Sequence, residues 1–82
     1  MRDPLRDADE ILRALSPRES EILGLITNGY SNAEIAEDLF IGINTVKTHV
    51  RGLYQKVGVE RRSQLIVWGA QRGFLRPLVG GD

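Results

Sequence analysis

Apolar residues recur at helical spacing along most of the chain. Ile22, Leu25 and Ile26 form one stripe, widened by Leu23, and Ile35, Ala36 and Leu39 form a second. Val46, Val50, Leu53 and Val57 form a third and cleaner one, and a fourth apolar run, Leu65, Ile66, Val67, Trp68 and Ala70, lies between Ser63 and Arg72. Alternation with period two, the mark of a half-buried strand, is absent despite the β-branched residues Ile41, Val59 and Val67. The pattern predicts a compact all-α domain of four helices containing a helix-turn-helix.

Polar residues punctuate these stripes in ways that carry a mechanism. Ser16-Pro17-Arg18-Glu19 combines a capping serine, a proline suited to the first turn and a glutamate three residues on, so a helix should start there and leave through Asn28-Gly29. Ser31-Asn32-Ala33-Glu34 repeats the capping box and opens a shorter helix ending near Phe40. After the Ile41-Gly42 turn the third helix runs from about Ile43 to Val57, and Gly58 stops it. The fourth, Ser63 to Arg72, ends at Gly73 and Pro77. Residues 1–15 carry Leu5, Ala8, Ile11, Leu12 and Leu15 at near-helical spacing, which fits a short extra N-terminal helix or a linker equally well. The division expected is therefore 1–15 as linker or short helix, 16–76 as the folded domain and 77–82 as a flexible tail.

If Val46, Val50, Leu53 and Val57 face inward, helix geometry leaves Asn44, Lys47, Thr48, Arg51 and Gln55 on the outer side. No Asp or Glu occurs between Leu39 and Val59. Ordinary solvent-facing helices mix charges of both signs, whereas a purely cationic and hydrogen-bonding face suits a major groove of base acceptors between walls of phosphate. Lys47 and Arg51 suit guanine acceptors, and Thr48 offers a methyl to thymine or a hydroxyl to a base or phosphate. A short helix, a turn and a longer helix have helix-turn-helix proportions, with the second helix entering the groove. The free N–H groups at Ser31-Asn32-Ala33 and near Asn44-Thr45 would then meet phosphates. Plain capping by Ser31 is compatible with that role.

Charge supports this once its distribution is considered. The chain is neutral overall, yet residues 1–38 hold four arginines against nine acids, while residues 39–76 hold seven basic residues against Glu60 alone. Such segregation gives a neutral protein one phosphate-attracting face. With 82 residues and no cysteine there is room for one core and no disulfide or thiolate metal site, which favours a cytoplasmic setting. No apolar run approaches the roughly 20 residues that span a bilayer, so no membrane partner is expected. His49 is the only histidine, so a metal site or catalytic triad lacks partners; no cofactor and no enzymatic activity are expected.

Leu15-Ser16-Pro17-Arg18-Glu19, Gly29-Tyr30-Ser31-Asn32-Ala33-Glu34-Ile35-Ala36, Thr45-Val46-Lys47-Thr48-His49-Val50 and Lys56-Val57-Gly58-Val59 together strongly resemble the LuxR/FixJ/NarL-type, or GerE-like, DNA-binding domain over about residues 15–75. The resemblance implies four helices with the third in the major groove and the fourth commonly in a homodimer contact. It also implies a bacterial transcription factor, often the output half of a two-component response regulator or a quorum sensor, for which RNA polymerase is a possible partner. By motif position Lys47, Thr48 and Arg51 align with base-contacting residues, and Asn32, Thr45 and His49 with backbone-contacting ones. Gly42 departs from the usual serine, which weakens the cap of the recognition helix by a few tenths of a kcal/mol if glycine is the N-cap. Ile43 replaces a usual polar residue, and packing on the turn is favoured over contact with a thymine methyl.

Several single residues keep two readings. Val67, Trp68 and Gln71 form an exposed dimer stripe if Ile66, Ala70 and Phe74 supply the core side of the last helix, or else one more buried face. Arg61 and Arg62 are phosphate contacts or a solvated loop, His49 is a phosphate contact or a surface residue, Gln55 is read as a phosphate contact, and Tyr54 is read as core. The function expected is sequence-specific binding of double-stranded DNA as a dimer. The alternatives are a sigma-factor-like promoter reader and a helical interaction module that has lost DNA binding. The loosely patterned first 15 residues favour a fragment of a longer regulator.

Overall fold

Each predicted start signal opens a helix in the computed structural model, which describes residues 4–76; the tail expected to be flexible, residues 77–82, lies outside the described residues. Ser16 Oγ accepts from Glu19 N–H at 3.0 Å and Glu19 Oε1 accepts from Ser16 N–H at 2.8 Å, so two orphan donors of the first turn are satisfied reciprocally. The helix they start is the second in the chain. In order the elements are α1 (Pro4–Ala14), α2 (Pro17–Thr27), α3 (Asn32–Leu39), α4 (Ile43–Val57) and α5 (Arg62–Gln71), with no strand among the described residues. Ser31 and Glu34 cap α3 in the same way, at 3.1 and 2.8 Å. Gly58 ends α4 in the left-handed conformation, φ +83°, where a side chain would be strained.

The core gathers around α2 and α4. Ile22, Leu23 and Ile26 of α2, Ile35 of α3, Val46, Val50, Leu53 and Val57 of α4, and Leu65 of α5 are buried together with Leu15. Burying each such side chain contributes about 1.5–3 kcal/mol, which matters in a domain this small. Leu25 and Tyr54, both read as core, sit half-buried at its margin. α1 packs against α4, with Ala8 buried and Ile11 and Leu12 half-buried against the core.

α5 turns Val67 and Gln71 outward, but the line that it buries most deeply lies between the two faces considered. Its buried line is Leu65 and Gly69, while Ile66, Ala70 and Phe74 are only half-buried. The cause is the missing side chain at Gly69. A Cβ there would collide with Thr27 Oγ1 and lie 3.3 Å from Thr27 Cβ and 3.4 Å from Leu23 Cδ1, so glycine lets α5 approach α2 closely along that line. Thr27 is itself buried, with its hydroxyl donating to the Leu23 carbonyl at 2.7 Å. Trp68, expected on the exposed stripe, is therefore turned partly inward and packs against the core, with the Arg72 guanidinium 4.7 Å above its ring. Asn28 secures the exit from α5 by donating to the Phe74 carbonyl at 2.9 Å and accepting from Arg76 N–H at 2.9 Å.

One ion pair ties three helix ends together. Lys56 in the last turn of α4 donates to Glu19 Oε1 at 2.7 Å and to the Ala14 carbonyl at 3.0 Å, joining the α4 end to the α2 start and the α1 end. Glu19 is buried beside Gly52, where a Cβ would stand 3.0 Å from Glu19 Oε2. Burial alone raises the Glu19 pKa, but the Lys56 hydrogen bond and charge, together with the Ser16 N–H, outweigh it and hold the carboxyl below its ordinary value of 4.5.

Two stability predictions follow from this packing. Gly69→Ala should destabilise the domain by about 1–3 kcal/mol in urea unfolding, since the added methyl meets packed side chains that cannot yield freely. Because the Glu19 pKa is lowered on folding, its contribution is present above the ordinary carboxylate value and is lost as pH falls through the folded one. Glu19→Gln should therefore cost about 1 kcal/mol at pH 7, a figure kept low because Lys56 is 40% exposed. Its deficit relative to the parent should shrink as the pH drops below 4.5; a deficit constant with pH would contradict the assignment.

Candidate nucleic-acid interface

Burial of Val46, Val50, Leu53 and Val57 decides which way the rest of α4 points. Asn44, Thr45, Lys47, Thr48, Arg51 and Gln55 are all exposed, and His49 is half-buried. Asn44 to Arg51 spans about 10 Å along the helix, about two turns, so its outer residues form one short ridge. Within that ridge Thr48 Oγ donates to the Asn44 carbonyl at 3.0 Å, which orders the threonine and leaves its hydroxyl only acceptor capacity for a ligand. Neither Lys47 nor Arg51 forms an ion pair among the described residues. Among the described residues the exposed carboxylates, Asp9 and Glu10 of α1, Glu21 of α2, Glu34, Glu37 and Asp38 of α3 and Glu60 beyond α4, all lie off α4, so its ridge is cationic on a neutral molecule.

Gln55 stands apart from the ridge. It lines a groove with Ile11 of α1, Trp68 of α5 and Arg72 at the α5 C-cap, one turn beyond Arg51 toward the α4 C-terminus. At the other end, Gly42 is the N-cap of α4 with extended backbone and no side-chain hydrogen bond, as its lack of a hydroxyl dictates. Ile43 is 39% exposed beside it, in place of the packing expected on the turn.

Ser31, Asn32 and Arg62 come together although the last is distant in sequence. Arg62 Nη1 donates to Asn32 Oδ1 at 2.9 Å and Nη2 to the Tyr30 carbonyl at 2.7 Å, so this arginine grips the start of α3. Arg61 is exposed at the N-cap of α5; a guanidinium has no acceptor, and it is Gln64 Oε1 that caps, accepting from Glu60 and Arg61 N–H at 3.0 Å each. Val67 and Gln71 are exposed on α5 and share a shallow apolar groove with Val59 and the edge of Trp68.

Phe40 and Tyr30 went unnoticed among sequence candidates. Phe40 closes α3 in the left-handed conformation, φ 56°, and is 94% exposed. Only a glycine or asparagine there would have signalled the left-handed cap, and a phenylalanine hides it. Tyr30 takes part through its backbone carbonyl, which no side-chain pattern announces.

The fold defines a helix-turn-helix domain in which α3 and α4 are joined by a short turn and one face of α4 is exposed. A family model, GerE, bacterial regulatory proteins of the luxR family, matches residues 13–69, and the chain belongs to that family. It is 41% identical over 76 residues to the response regulator protein VraR of Staphylococcus saprophyticus, covering 93% of this chain and 36% of that protein. Among solved structures it is similar to the response regulator ChrA of a heme-sensing two-component system, with a TM-score of 0.69, 44% identity, and coverage of 76% of this chain and 31% of that one. It is also similar to the Vibrio cholerae VqmA dimer, a LuxR-type receptor, with a TM-score of 0.68, 38% identity, and coverage of 73% and 27%. The chain thus spans about a third of the length of these relatives.

The exposed, positive-φ Phe40 yields a stability prediction. Phe40→Asn should leave stability unchanged or raise it by up to about 1 kcal/mol in thermal or urea unfolding, because asparagine adopts the left-handed region more readily and no buried contact is lost. A loss above about 1 kcal/mol would show that the ring supports the fold.

Proposed function

We propose that this chain binds double-stranded DNA sequence-specifically to regulate transcription, with α4 lying in the major groove. The observation that carries the reading is the exposed ridge Asn44, Lys47, Thr48 and Arg51, free of carboxylates and set on a rigid helix whose opposite face is the domain core. In this reading Lys47 and Arg51 donate to guanine O6 and N7, Thr48 packs its methyl on thymine, and Asn44 reads an adjacent base edge. Thr45 and His49 meet the flanking phosphates, as do Ser31 and Asn32 through the start of α3, with Arg61, Arg62 and Gln55 at the periphery.

Val67 and Gln71, with the exposed edge of Trp68, form the contact between two copies on DNA, placing two α4 helices about 34–36 Å apart on successive turns. The likeness to VraR and ChrA supports a role as the output domain of a response regulator, acting in the bacterial cytoplasm, where an activator would also meet RNA polymerase. The chemistry is binding, with no catalytic step or cofactor.

The test is fluorescence anisotropy against duplexes selected from a random pool. The parent should show log K falling linearly with log salt, with a slope near 0.9 for each phosphate neutralised. Lys47→Ala and Arg51→Ala should each weaken the selected site by about 1–3 kcal/mol and relax its sequence preference while leaving Tm unchanged, because both side chains are exposed. Unaltered affinity and selectivity in both variants would remove α4 from the reading role.

A further inference from the structure

The grip of Arg62 on α3 determines the chemistry that Asn32 presents. A guanidinium only donates, so the oxygen of the Asn32 amide must be the atom facing it, and the assignment of Oδ1 and Nδ2 follows from chemistry alone. The second donor, on the Tyr30 carbonyl, restrains the guanidinium and so holds the Asn32 oxygen toward it. Asn32 Nδ2 then has no hydrogen-bond partner among the described residues and is not a buried orphan, on a side chain that is half-buried. Around it the Ser31 N–H is taken by the Glu34 carboxylate and the Glu34 N–H by Ser31 Oγ. The amide N–H groups of Asn32 and Ala33 are left free in the first turn.

We propose that Arg62 is a positioning residue for DNA binding: it holds the Asn32 amide with Nδ2 outward, so that a DNA phosphate meets a preset side-chain donor beside the free backbone N–H groups. This inference rests on the DNA-binding reading and changes the role of Arg62 within it, from a phosphate ligand to the residue that orients one. Two of the five guanidinium N–H groups are committed to this grip. Because Arg62 is the first residue of α5, the placement of that helix is transmitted to the backbone-contacting end of α3. The same arginine therefore links the proposed pairing helix to the proposed phosphate contact.

A double-mutant cycle on a mixed-sequence duplex, read by anisotropy across a salt series, separates the roles. Arg62→Ala should weaken binding about tenfold in the parent but less than threefold in Asn32→Ala, and the salt slope should not change. Arg62→Lys keeps the charge but loses the two-point grip, and should also weaken binding at an unchanged slope. An equal loss in both backgrounds, or a slope reduced by about 0.9, makes Arg62 a direct phosphate ligand and overturns the proposal. Should Arg62→Ala fail to fold, Asn32→Asp carries the test: it keeps an acceptor for Arg62 and the parent Tm, but replaces the outward donor with an oxygen. Parent-like duplex affinity in that variant overturns the proposal. A parent chain without salt-dependent duplex binding overturns the DNA-binding reading itself, an outcome distinct from the others.

Discussion

Burial of one stripe on α4 is the constraint from which the rest of the molecule takes its meaning. Val46, Val50, Leu53 and Val57 are nearly or fully inaccessible, and a helix has no freedom to rotate once four positions spread along its length are packed. The outward direction of Asn44, Lys47, Thr48 and Arg51 is therefore a consequence of hydrophobic packing, fixed before any ligand arrives. Preorganisation of this kind lowers the ordering cost of recognition, since only side-chain torsions remain to be set. The Thr48 hydroxyl on the Asn44 carbonyl removes some of that freedom as well.

The helices that support α4 are held by contacts of different kinds. Close approach at Gly69 seats α5 on α2, and the Lys56–Glu19 pair fastens the far end of α4 to α1 and α2. Arg62 binds the start of α3 from the start of α5. Each joins elements at points that the apolar stripes alone would leave free to slide. In a domain with so small a core, a few such polar and steric locks carry much of the definition of the exposed α4 face.

What was legible in the sequence was local. The Ser-x-x-Glu pairs at Ser16 and Ser31, the αL glycine at position 58 and the α4 stripe all act within a turn or two of helix, where spacing maps directly onto geometry. The family resemblance covered the same segments and agrees with the matched span of residues 13–69. The contacts that escaped are those between distant residues: Lys56 with Glu19 across 37 positions, Arg62 with Asn32 across 30, and Asn28 with Phe74 across 46. The face of α5 stayed open between two readings for the same reason, because Gly69 has no side chain to announce a close approach and the surrounding run is apolar on every side. Phe40 illustrates the converse, a residue whose type hides its backbone conformation.

An amide and side-chain NMR titration of the chain with a selected duplex tests whether the outer face of α4 meets the DNA while its buried stripe stays packed. The largest shift changes should fall on Asn44, Lys47, Thr48 and Arg51, with weaker ones at Ser31, Asn32 and Ala33. The methyl groups of Val46, Val50, Leu53 and Val57 should stay in place. A perturbation map centred on the acidic surface of α2 and α3, or methyl shifts showing that the buried quartet rearranges to meet the DNA, would contradict this placement of α4.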